Sequence, residues 1–162
     1  IMGVRWAKLI TNSTMSGLSA ALGVTYGEII DNDKAVRIAA HQTNELIKIA
    51  NARGIKLEIL FAGYDFYDLL FDDYDGRENA VKWLKGYYEP DRPLIASMLR
   101  DMRIGVKCEI DQICGVVASW GDKLCIDTPM NDKCIEIVKA FEKGDRPLTT
   151  IANLDEFILP EL

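Results

Sequence analysis

Histidine is nearly absent from this sequence. His41 is the sole one in 162 residues, and it lies among helix-forming residues without the Ser or Cys partner of a nucleophile triad. Cysteine is sparse and badly spaced for metal: Cys108, Cys114, Cys125 and Cys134 follow one another at gaps of 6, 11 and 9. None of these gaps makes the close pair of a zinc site, so the four read as reduced, mostly buried thiols of a cytoplasmic protein. No run approaches the roughly 18 apolar residues of a membrane span, and Ile1 to Val4 lack the basic opening of a secretory signal. An isoleucine ahead of Met2 instead predicts a fragment of a longer chain. Positive charge is short as well, with 19 Lys and Arg against 25 Asp and Glu for a net −6. No window gathers those bases into a stripe, which sets aside nucleic acid and, more weakly, an anionic membrane as partners. Also missing is any GxGxxG stretch between a strand and a helix, so these residues contain no dinucleotide fingerprint.

What is present is helical pattern. At 49% hydrophobic and 27% charged, the composition is that of a folded domain with one core. Trp6, Leu9, Ile10, Leu18 and Leu22 predict a helix over 5–22, ended by Gly23 at C′. Residues 24–32 read as a connector with a brief turn at Tyr26-Gly27-Glu28, after which Asn32 or Asp33 caps a long helix over 34–53. Lys56 to Ala62 read as an extended link. Residues 65–72 and 77–87 read as a short and a longer helix, with Pro90 and Pro93 bracketing a loop. Helices over 94–103, 109–124 and from Thr128-Pro129 to Phe141 complete an all-α, multi-helical single domain, and the tail from Gly144 is less regular. Within 109–124, Ile110, Ile113, Val117 and Trp120 are expected to face inward.

Several polar residues sit where a solvated helix face would not put them. Lys8, Asn12 and Ser16 follow at i, i+4 and i+8, within about 40° of drift per four residues. Asn and Ser are poorer helix formers than the Glu, Lys or Gln expected of a plain surface. Ser97 and Asp101 share a second face. Glu109 is expected at the start of a helix, where exposed N–H groups favour a carboxylate.

The stretches WAKLITNSTMSGLSAALGV, NELIKIANARG, SMLRDMRIGVKCEIDQICG and DTPMN, in that order over roughly residues 5–142, resemble the C-terminal helical domain of ketopantoate reductases. The fold this implies is the helical type also found at the C-terminus of 6-phosphogluconate dehydrogenases. The resemblance implies an oxidoreductase of pantothenate biosynthesis that moves hydride from NADPH to the carbonyl carbon of a 2-oxo acid. Its nucleotide is bound mainly by an N-terminal Rossmann domain absent from these 162 residues. The family pattern places catalytic roles on Lys8 and Glu109 and substrate binding on Asn12 and Ser97, with Asp101 in support. Ser16 stands where the family usually has a second asparagine, and a serine lacks the amide's reach and second donor. That departure opens the reduction of another 2-oxo acid. No metal is implied, and a homodimer is compatible.

The chemistry suits these residue types. Negative charge grows on a ketone oxygen as hydride arrives at its carbon, and a protonated amine can both stabilise that charge and supply the proton. A carboxylate such as Glu109 would hold the ammonium in place. The competing reading is a helical dimerisation or interaction module without an active site, its aromatic 64–88 segment facing a partner or the Rossmann half.

Overall fold

The computed structural model describes residues 2–59 and 63–162. Among these residues there are helices and turns and no strand. The helices are α1 (Met2–Thr11), α2 (Leu18–Leu22), α3 (Tyr26–Asp31), α4 (Asp33–Ala52), α5 (Tyr74–Tyr88), α6 (Ser97–Arg103), α7 (Cys114–Leu124) and α8 (Pro129–Glu142). A π-helical stretch, Asn12–Gly17, joins α1 to α2, and short 3₁₀ turns occupy Phe66–Leu69, Glu89–Asp91 and Ile151–Glu156.

The core is built around α4. From Ala35 to Ala50 only Arg37 and Lys48 escape burial, because apolar residues there run beyond a single stripe. Helices α1, α3, α5, α7 and α8 and the π stretch all pack on it. Asn32 starts the helix, its Oδ1 accepting from the N–H groups of Lys34 and Ala35 at 3.0 Å each. At the far end the Arg53 guanidinium lies 3.6 Å from the ring centre of Trp120 and 5.0 Å from that of Trp6, fastening α1 and α7 to α4.

Several boundaries differ from expectation for local reasons. The connector at 24–32 contains a true helix, α3, because Thr25 and Glu28 form a reciprocal capping box. The helix expected over 65–72 is only a 3₁₀ turn behind an Asp65 cap, and α5 begins at Tyr74, three residues early, where Asp73 accepts from the Gly76 N–H at 2.7 Å. Residues 94–96 stay outside α6, and α7 starts at Cys114 because 109–113 form turns. Trp120 packs against the core but is only half-buried, with Arg53 over its ring. Residues 56–59 carry no regular structure, and 60–62 of the expected link lie outside the described residues. The tail packs: Thr149 Oγ1 donates to the Ala20 carbonyl at 2.6 Å, and Leu154 and Phe157 are buried.

Candidate active site

Lys8 sits one turn before the end of α1. Trp6, Ala7 and Ile10 bury the opposite side of that helix, which leaves the lysine exposed. Asn12 then opens the π stretch. Its i→i+5 turns advance fewer degrees per residue than α turns, which opposes the drift that would carry Ser16 away from Lys8 and Asn12.

A buried polar network holds this widened turn. Gln42 Nε2 on α4 donates to the Ser13 carbonyl at 2.8 Å, and Ser13 Oγ donates to Asn131 Oδ1 at 2.9 Å. The Thr14 and Thr43 hydroxyls meet at 2.8 Å. Asn131 Nδ2 in turn donates to Glu45 Oε2 at 2.7 Å. The Glu45 carboxyl also accepts from the Met130 and Asn131 N–H groups at 2.8 and 3.1 Å, capping α8 from a neighbouring helix. Burial pushes Glu45 up to about 8 against these donors. Cys114 and Cys134 are free buried thiols against Gln42, Cys108 is a free buried thiol beside Glu142, and Cys125 is free and exposed. Burial lowers His41 to about 4, and its ring sits edge-on to Phe71 in the core.

Lys8 and Asn12 come together in a cleft of about 320 Å³ whose other walls are Thr11, Tyr26, Tyr87, Tyr88 and Asp91. Ser16 lies buried one turn further on, and its hydroxyl meets Tyr26 Oη at 3.0 Å. Burial raises the phenols of Tyr26, Tyr87 and Tyr88, with the negative charge of Asp91 adding to it, so these walls are neutral.

The remaining expected residues stand outside that lining. Ser97 is the exposed first residue of α6, a helix that packs on α2 and the π stretch; the N–H of Ala96 donates to Ser19 Oγ at 3.3 Å. Half-buried Asp101 uses its backbone carbonyl to accept from Val106 at 2.9 Å. Glu109 is exposed in the turn five residues before α7, not at a helix start, with its carbonyl accepting from Gln112 and Ile113 at 3.1 Å each. Among the described residues no ion pair joins Glu109 to Lys8. A larger cleft of about 470 Å³ between the Gly105–Lys107 loop and the end of α8 contains none of the expected residues, and its Lys139 is tied to Asp111 at 2.7 Å.

Sequence reasoning passed over the tyrosines. Tyr26 fell in what read as a connector, and Tyr87 and Tyr88 fell at and just past the end of the helix expected over 77–87, within the aromatic 64–88 segment. It also passed over Gln42, Glu45 and Asn131, although DTPMN contains the last of these. Polar residues inside an apolar helical pattern were the available signal.

Residues 1–142 match the family model described as "Ketopantoate reductase PanE/ApbA C terminal". A 2-dehydropantoate 2-reductase of Pyrococcus horikoshii is 32% identical over 142 residues, covering 88% of this chain and 41% of that protein. One from Pyrobaculum aerophilum is 27% identical over 138 residues, 85% of this chain and 43% of that protein. Among solved structures, the PanE/ApbA family ketopantoate reductase of Ralstonia eutropha JMP134 superposes with a TM-score of 0.68 at 24% identity, covering 86% of this chain and 40% of that one. D-mandelate dehydrogenase with NADH and anilino(oxo)acetate gives 0.66 at 25% identity, with the same two coverages of 86% and 40%. The chain belongs to the ketopantoate reductase family, as its C-terminal helical domain. It spans about two-fifths of the length of the curated relatives it matches.

Proposed function

We propose that these residues are the substrate-binding and proton-donating half of an NADPH-dependent 2-oxo acid reductase. The observation that carries this reading is the pairing of Lys8 and Asn12 one turn apart in a cleft otherwise walled by neutral hydroxyls and one carboxylate. The described residues contain no strand–turn–helix phosphate cradle and do not by themselves fit a dinucleotide. In this reading a Rossmann domain would hold the nucleotide, and the chemistry the bound nucleotide would supply is hydride donation to the carbonyl carbon.

The chain's own residues then have distinct tasks. The Lys8 ammonium stabilises charge growing on the ketone oxygen and hands it a proton. The Asn12 amide orients the substrate without adding charge. Ser97 and Glu109 are assigned substrate contact and support of the lysine, with Asp101 positioning Ser97 from the same helix, α6, which packs on the π stretch that contributes Asn12 to the cleft.

Ketopantoate is the substrate that the names of the curated relatives favour. Ser16, buried and engaged with Tyr26, favours a second reading, a different 2-oxo acid. NADPH oxidation by the full protein with ketopantoate and with simpler 2-oxo acids tests the reading. Turnover is expected with at least one of them, and none with this 162-residue chain alone. Turnover by the chain alone at an ordinary enzymatic rate, or none by the full protein, would contradict it.

A further inference from the structure

Gln42 carries an amide into the middle of the core at a cost. It is 0% exposed, and its Oε1 has no hydrogen-bond partner among the described residues. A buried amide oxygen left unpaired gives up its hydration for nothing, and a Met would fill a similar volume without that loss. Core packing alone therefore does not explain a glutamine at this position. The other end of the amide does. Its Nε2 donates to the Ser13 carbonyl at 2.8 Å and to Asn131 Oδ1 at 3.2 Å, with the Cys114 and Cys134 sulfurs 3.7 and 3.6 Å away.

The Ser13 carbonyl needs such a partner because of the π stretch. The Leu18 N–H, five residues on, bonds to the Thr14 and Met15 carbonyls and passes Ser13 over. A residue inserted into a helical ladder strands a carbonyl in this way, and a buried one must be met by a side chain. Gln42 meets it, and Cys114 Sγ adds a long contact at 3.7 Å. The next residue of α4 grips the next residue of the stretch, the Thr43 and Thr14 hydroxyls lying 2.8 Å apart. Asn12 stands immediately before this clamped pair, and it is the residue that the π stretch delivers to the cleft beside Lys8. Loosening the clamp would let Asn12 turn relative to the cleft's other walls, which α3 and α5 carry as Tyr26, Tyr87 and Tyr88.

We propose that Gln42 is a positioning residue for the reaction: through the Ser13 carbonyl it fixes the angle at which Asn12 meets the substrate. The inference rests on the reductase reading above. Its test is a double-mutant cycle between Gln42→Met and Asn12→Ala in the full protein, read as KM and kcat for the 2-oxo acid that wild type reduces fastest. Gln42→Met is expected to raise KM about three- to tenfold and to lower kcat less. In the Asn12→Ala background the same change should move KM by less than about twofold, because the side chain it positions is gone. A purely structural glutamine would lower the urea midpoint and leave KM alone, or its effect on KM would multiply with that of Asn12→Ala; either outcome overturns the inference and leaves the reductase reading standing. A KM unchanged by Asn12→Ala itself removes the substrate contact and overturns both. Should Gln42→Met not fold, Gln42→Asn, which withdraws the donor by one methylene, enters the same cycle with the same expectations.

Discussion

Glu45 is the side chain whose chemistry is most at odds with its surroundings. It is 7% exposed, yet three N–H donors converge on its two oxygens. With its folded value raised to about 8 from 4.5, the native state keeps a proton that the unfolded chain releases. Stability is therefore highest below the unfolded value and falls as pH rises toward the folded one. Urea unfolding at pH 5, 6.5 and 8 should show this decline in wild type and its absence in Glu45→Gln; an identical slope in both would remove Glu45 as the cause. The variant should also be weaker by about 1–3 kcal/mol, since the amide cannot accept all three bonds. His41 acts in the opposite sense. Its folded value, depressed to about 4 from 6.5, means that stability present above the unfolded value is lost as pH falls through that window. In the proposed reaction Asn12 binds substrate and takes no part in bond-making. Asn12→Ala in the full protein should raise KM about tenfold, the scale of one hydrogen bond to a charged group, and change kcat less, as steady-state kinetics would show.

Elements are fixed here by close approach as much as by pattern. Gly17 ends the π stretch where a Cβ would stand 2.6 Å from Cys114 Sγ and 3.3 Å from Gln42 Nε2. Gly17→Ala should therefore cost about 1–3 kcal/mol as overpacking, read as a lower urea midpoint with an unchanged m-value; an unchanged midpoint would show that the thiol moves aside freely. Gly23 has φ 69°, and a Cβ there would meet the Thr149 carbonyl, which brings the tail against α2. Such contacts explain how much of the molecule could be read in advance. The long helix α4 was legible because its apolar residues repeat at helical period, and α8 because Pro129 marks its start. The π stretch was not, since its insertion depends on Gln42 and Asn131 reaching in from other helices. Lys8 and Asn12 were placed together by spacing alone. Their tyrosine walls were not, because Tyr26 and Tyr88 lie 62 residues apart in sequence and meet only through the packing of α3 on α5.

At the scale of the whole molecule, helices packed around a buried α4 leave the Lys8–Asn12 cleft at the surface. Membership of the ketopantoate reductase family and coverage of 41% of its Pyrococcus horikoshii relative fit a unit that works against another domain. Closure of that domain would exclude water from the cleft and strengthen every charge interaction at Lys8. In the proposed reaction the Lys8 amine delivers the proton to the ketone oxygen. Single-turnover hydride transfer in the full protein, wild type against Lys8→Ala with saturating NADPH, tests it most directly. A fall of about 10²–10⁴ in that rate with nucleotide affinity unchanged is the predicted result, and a rate within threefold of wild type would contradict it.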